Sequence, residues 1–301
     1  MMSKINSLRN IVQDGVAPAM ATPLQGDGRT VNLAVVPELI DFLGQRNVRG
    51  VFVGGTTGEG LFLDASERLK LHEAAVTAAG DLPVLLHVGA NDTPTTQLLI
   101  KQAVELEVAA IVIIPPTFLA MNDNHLVDYL AEVAAGAPDT PMLVYDIPQA
   151  AVNGVTPRMV EMMEARIPSF AGLKCSRLDA QVIRSLIDAL SEDRIFLAGN
   201  ERIAVGSLMM GATGMISGLA TAVPEPFVGL TAAIGAGDLA AAKRWHNVIN
   251  RMLDEIPAGC RIGTIKTVLN QRGIAVGNAV PPRPMPPAGD YWQRMRAHLP
   301  V

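Results

Sequence analysis

Short apolar runs alternate with longer stretches of helical periodicity along almost the whole chain. The runs at residues 16–21, 50–53, 84–88, 110–114, 142–145, 170–174, 195–198 and 214–217 are too short for helices and nearly unbroken in hydrophobicity. That pattern predicts strands buried on both faces. Between them, residues 65–79, 95–107, 124–135 and 180–190 place apolar positions on one helical face. Strands alternating with helices imply βαβ units and a parallel sheet, and eight such units close into a single (β/α)8 barrel. Residues 1–225 are assigned to the barrel. Residues 226–301 are assigned to a helical extension packed on it as part of one structural unit, with helices expected in 225–256, 262–271 and 291–298. Thr156-Pro157 reads as a helix cap followed by a first-turn proline, and Asp64 with Glu67 as a capping box. The run Pro281-Pro282-Arg283-Pro284-Met285-Pro286-Pro287 is stiff and extended. It is expected to thread the chain between surface elements, with a recognition segment as the alternative.

Composition narrows the function. The 301 residues carry a net charge of −5 and only 4% aromatic side chains, which leaves no electrostatic footprint or stacking platform for nucleic acid. Cys175 and Cys260 make neither a disulfide framework nor a zinc spacing, so no metal and a reducing compartment are expected. Residues 1–15 lack the apolar centre of a signal peptide, and the longest apolar stretch, 108–114, is too short to span a bilayer. A cytoplasmic protein is expected. Mean hydropathy of +0.28 is high for a soluble monomer and predicts a homo-oligomer with apolar surface between subunits.

In such a barrel the functional groups gather at the C-terminal ends of the strands. The second strand ends in Gly54-Gly55-Thr56-Thr57-Gly58-Glu59. Its glycines let successive amides point at an anion beside two hydroxyls, although an ordinary strand-to-helix turn also explains the run. It is not a P-loop, because no Gly-Lys-Ser/Thr follows. The fifth strand ends in Tyr145-Asp146-Ile147-Pro148, where a tyrosine can simply pack at the rim. The sixth ends in Gly172-Leu173-Lys174-Cys175-Ser176. Lys174 terminates an apolar run, unlike the other lysines. It reads either as a side chain snorkelling to solvent or as a buried amine of depressed pKa that attacks carbonyl carbon. Strand alternation puts Gly172, Lys174 and Ser176 on one face, where Gly172 is expected to leave space beside the lysine and Ser176 to meet substrate.

Together with Thr22-Pro23 and the run from Gly211 to Ser217, these motifs resemble the dihydrodipicolinate synthase / N-acetylneuraminate lyase family over most of the chain. The resemblance implies a lyase or aldolase in which Lys174 forms an imine with a 2-oxo acid such as pyruvate, with no cofactor. It implies that Tyr145 is the general acid and base, that Thr56 relays a proton, and that Gly55, Thr56 and Thr57 hold the substrate carboxylate. Gly199 and Ile216 would line the pocket, Glu201 would meet substrate hydroxyls, and the assembly would be a dimer of dimers. A helix-start glutamate is the plain alternative for Glu201. Two positions depart from the synthase pattern. Thr117 stands where an interface tyrosine is expected, and Ala150 where an arginine would hold an aldehyde's carboxylate, with Arg177 as a conceivable substitute. Aldol cleavage of a 2-oxo-3-deoxy sugar acid is therefore the expected reaction. The synthase, a dehydratase using the same imine, and a non-catalytic 2-oxo-acid-binding protein are the alternatives.

Overall fold

The computed structural model describes residues 1–300. Eight parallel strands form one sheet: β1 (Val16–Pro18), β2 (Val51–Val53), β3 (Val84–His87), β4 (Ala110–Ile113), β5 (Met142–Asp146), β6 (Phe170–Cys175), β7 (Ile195–Ala198) and β8 (Gly214–Ser217). The hydrogen-bonded order runs from β1 through β8 and back down to β2, and a parallel bridge between Ala19 and Phe52 brings β2 beside β1. The architecture is the expected (β/α)8 barrel with further helices at the C-terminus. Every strand residue is buried, as near-continuous apolar runs require when helices cover one face and the barrel interior the other. β1 is shorter than its apolar run, although the Ala19 amide still donates to Ser217 and the Met20 amide to Phe52 on the neighbouring strands.

Side-chain alternation sorts the strands into two cores. Val51, Val53, Leu86, Ile113, Val144 and Leu173 face the helical layer. Phe52, Leu85, Val112, Leu143, Tyr145, Leu197 and Ile216 face inward. The inner core continues into a helix the pattern does not predict, Met2–Val12, whose Ile5, Leu8 and Val12 are buried in it. Burial of such side chains contributes ~1.5–3 kcal/mol each. This helix stoppers the end of the barrel opposite the strand C-termini.

The helix boundaries follow the local chemistry. Ala65–Ala79 matches its expected range. The helix Thr93–Glu105 starts two residues early because Asp92, not a later residue, accepts the Thr95 amide hydrogen bond at 2.7 Å. Thr156 caps as expected, its hydroxyl accepting from the Met159 amide at 3.1 Å. The capping box at Asp64 and Glu67 does not form. The Asp64 side chain makes no cap bond, and Glu67 instead accepts from the Val31 amide at 2.7 Å and pairs with Lys70. Residues 225–256 divide into Glu225–Gly235 and Leu239–Asp254 at Gly237, whose φ of +71° suits glycine. Helices Arg261–Gln271 and Tyr291–Arg296 close the chain.

Candidate active site

Neighbouring strands deliver the central pair. In the β5–β6 ladder Tyr145 lies beside Lys174 and Leu143 beside Gly172, so the lysine shares the inward face of the tyrosine. A bulge between Met142 and Leu143 sets this register. Gly172 serves it differently from the expectation of open space: its φ is +139°, and a Cβ there would sit 1.9 Å from the Ile195 carbonyl oxygen. Only glycine lets β6 approach β7 so closely while the lysine turns inward.

The Lys174 amine is buried and has no hydrogen-bond acceptor or carboxylate in contact among the described residues. Its Nζ lies 3.8 Å from the centre of the Tyr145 ring and 4.1 Å from that of Phe52. Burial lowers its pKa to about 7, against a weaker upward pull from the charge of Glu201. An unperturbed lysine has roughly one amine in a few thousand neutral at pH 7, so this environment raises the nucleophilic fraction to about half.

The Tyr145 hydroxyl is 3.3 Å from Thr56 Oγ1, and Ser176 Oγ donates to it at 3.4 Å. Burial raises the pKa of the phenol, and the Ser176 and Thr56 contacts pull the other way. A protonated phenol with a hydroxyl on either side can pass a proton between solvent-facing and buried positions. Gly199 packs against Ser176, where a Cβ would be 2.3 Å from Ser176 Oγ. Ile216 closes the inner core, and Gly55 and Thr56 border the open cavity at the barrel mouth. Thr57 is buried against Gly218.

Glu201 is also buried, in the short helix after β7, rather than exposed at a helix start. Its Oε1 accepts from Ser217 Oγ (3.0 Å), the Gly218 amide (3.1 Å), the Leu219 amide (3.4 Å) and Arg261 Nη2 (2.6 Å). All four donors converge on one oxygen, which leaves Oε2 as an acceptor without a partner among the described residues. The arrangement therefore brings a buried amine of lowered pKa, a phenol flanked by two hydroxyls and a carboxylate with one free oxygen to one barrel end.

Three results go beyond the sequence reading. Arg177 does not stand in for the arginine absent at Ala150. Its guanidinium forks onto Asp146, with Nε 2.5 Å from Oδ2 and Nη2 3.0 Å from Oδ1, and Nη2 also donates to the Val155 carbonyl. Thr117 donates to Asn91 Oδ1 at 2.6 Å and lines the same cavity as Ala150. His87, at the C-terminal end of β3, joins the site unannounced. Its ring sits edge-on to Phe52 and Tyr145, and burial with nearby Arg68 drives its pKa well below the ordinary value. The rule that singles out Lys174 and Tyr145, a chemically capable residue ending an apolar strand, would have found it too. Among the described residues no group of three or more His, Cys, Asp or Glu side chains is placed to hold a metal ion.

A barrel with this amine at the end of β6 is a carbon–carbon lyase of the class I aldolase type. The chain belongs to the dihydrodipicolinate synthetase family, whose family model matches residues 13–298. It is 32% identical over 279 residues to N-acetylneuraminate lyase of Pongo abelii, covering 89% of this chain and 85% of that one. A 4-hydroxy-tetrahydrodipicolinate synthase of Methanosphaerula palustris is 28% identical, with 88% and 91% covered. The solved structure of Ruminococcus gnavus sialic acid aldolase superposes with a TM-score of 0.90 at 26% identity, over 96% of this chain and 98% of that one.

Proposed function

We propose that the protein reversibly cleaves a 2-oxo-3-deoxy sugar acid, or a similar compound, to pyruvate and an aldehyde through an imine on Lys174, without a cofactor. One observation carries this reading: the Lys174 amine lies buried against two aromatic rings with no counter-ion. The neutral amine attacks the C2 carbonyl, and loss of water leaves an iminium. Thr56, Thr57 and the neighbouring Gly55 amide hold the carboxylate. The cation forming beside the Tyr145 ring favours the phenolate, so Tyr145 takes the proton of the C4 hydroxyl. The C3–C4 electron pair then moves into the iminium, giving an enamine and the aldehyde. Return of a proton to C3, with Thr56 as relay, and hydrolysis free pyruvate and Lys174. Ser176, Gly199 and Ile216 shape the pocket, and Glu201 Oε2 accepts from substrate hydroxyls.

The synthase reading is weaker, because Ala150 offers no cation and Arg177 is committed to Asp146. A carboxylate without its charged partner forgoes ~1.5–3 kcal/mol. The test is borohydride reduction in the presence of pyruvate, followed by a screen for pyruvate release from 2-oxo-3-deoxy sugar acids. A reduced adduct on the peptide containing Lys174 is expected, and label elsewhere or nowhere overturns the mechanism.

The protein is proposed to act as a cytoplasmic homotetramer, a dimer of dimers. Among the described residues no helix is long and apolar enough to cross a membrane. Phe118, 85% exposed, stands with exposed Leu119, Met121 and Val152 in a patch tied together by Asn153, whose amide bonds the carbonyls of Pro116 and Leu119 and the amide of Met121. A patch of this kind fits a subunit interface. Sedimentation at the 31.8 kDa of one chain would contradict the assembly.

A further inference from the structure

A cavity of about 410 Å³ opens at the barrel mouth, large enough for the aldehyde half of a sugar acid. Thr56, His87, Asn91, Thr117, Ala150 and Arg283 are on its wall. Thr56 on its wall is 3.3 Å from the Tyr145 hydroxyl, which places the cavity beside the proposed proton carrier. The charges around it are unbalanced. Among the described residues lining it, the one carboxylate, buried Glu59, is already taken by Lys266 Nζ at 2.8 Å and by the Val280 amide at 2.9 Å. Arg283 Nε stands 3.6 Å from the same carboxylate, beyond hydrogen-bond reach, and is buried without a partner. Its guanidinium packs 4.5 Å from the centre of the Phe62 ring, and its side chain makes no hydrogen bond among the described residues. Two cations thus face one anion, and the surplus belongs to the residue lining the cavity. Prolines at 281, 282 and 284 restrict the backbone around it, so the guanidinium is held in place before any ligand arrives. Its two Nη groups, which make no hydrogen bond among the described residues, offer four donors suited to a planar carboxylate or a phosphate.

We propose that Arg283 binds an oxyanion, carboxylate or phosphate, at the far end of the aldehyde half of the substrate. The preferred sugar acid would then be a dianion, with one charge at each end. This deepens the aldolase reading of Lys174 and rests on it. The proline-rich run becomes a substrate-facing strap rather than a simple connection.

The test compares wild type, Arg283→Gln and Arg283→Lys in condensation of pyruvate with glyceraldehyde 3-phosphate, succinic semialdehyde and uncharged glyceraldehyde. Arg283→Gln should raise KM for both anionic aldehydes by ~10- to 100-fold, the scale of a lost charge-assisted contact, and leave kcat and the KM of glyceraldehyde within about twofold. Arg283→Lys should recover the phosphate aldehyde more than the carboxylate one, because a point charge replaces a fork. Equal losses for charged and uncharged aldehydes would overturn the assignment. Borohydride trapping of pyruvate on Lys174 is followed in parallel, and its failure in wild type would defeat the aldolase reading alone. Calorimetric titration of glyceraldehyde 3-phosphate into unreacted wild type and Arg283→Gln still decides in that case: binding to both, or to neither, counts against Arg283. If Arg283→Gln fails to fold, Arg283→Lys carries the same comparison of phosphate with carboxylate.

Discussion

Two lysines lie buried among the described residues, and their surroundings are opposite in kind. Lys266, in the helix Arg261–Gln271, meets the Glu59 carboxylate at 2.8 Å and the Asn278 carbonyl at 2.8 Å. Lys174, on β6, meets only aromatic rings. Burial lowers the pKa of both, but at Lys266 the charge and hydrogen bond of Glu59 oppose it. The first lysine is paired with Glu59 and ties the C-terminal helices to the loop after β2. The second has no counter-ion among the described residues and its pKa falls to about 7, which suits the nucleophile proposed for it. Low exposure alone therefore does not identify a reactive amine, whereas low exposure without a counter-ion does.

The sharpest way to break this contrast is Lys174→Met. Turnover should fall at least ~10³-fold, as when a covalent nucleophile is removed, and pyruvate should no longer be trapped by borohydride. The same variant should be more stable than wild type. The unfolded lysine binds its proton up to about pH 10.5 while the folded one releases it near pH 7, so the unfolded state holds more protons in between and wild-type stability rises with pH across that window. The gain from Lys174→Met is therefore greatest at pH 7 and below, up to ~4–5 kcal/mol, and fades toward pH 10.5. Thermal melts across this range check it, and a gain that grows with pH would refute the depressed pKa. Lys266→Met should do the reverse, losing ~1–3 kcal/mol because Glu59 keeps only Arg283, beyond hydrogen-bond reach, as a cation, measured by chemical denaturation.

Smaller effects refine the picture. Tyr145→Phe keeps the ring against Lys174 and should melt near wild type, with kcat reduced ~10²-fold or more. Undiminished turnover would move the proton transfer elsewhere. Glu201→Gln should lower kcat/KM for a hydroxylated substrate by ~10-fold, the scale of one hydrogen bond to a charged group. It should also shift pyruvate trapping to lower pH, because the Glu201 charge is what holds the Lys174 pKa up. A shift to higher pH would contradict that coupling.

The frame of the fold was legible because barrel strands are apolar on both faces, and the proposed catalytic pair stood out in the sequence because Lys174 and Tyr145 interrupt that apolarity at its end. Residues whose roles depend on distant partners were not. Nothing local reveals that Glu67 reaches Val31 rather than the start of its own helix, or that Arg177 folds back onto Asp146. Arg283 lies 224 positions after Glu59, so a contact between them comes only from tertiary packing. The opening helix Met2–Val12 is an intermediate case. Ile5, Leu8 and Val12 do recur at helical spacing, yet a single short face gives little signal without the barrel it caps.

That helix has a kinetic consequence. With Ile5, Leu8 and Val12 filling one end of the inner core, that end is closed, and the Thr56 and Arg283 cavity opens at the other. In the proposed cleavage the three-carbon fragment remains bonded to Lys174 after the carbon–carbon bond breaks, so the aldehyde leaves first and the keto acid follows. In the condensing direction the order reverses, and the keto acid must dock before its partner. A dead-end vessel with a tethered occupant enforces last in, first out.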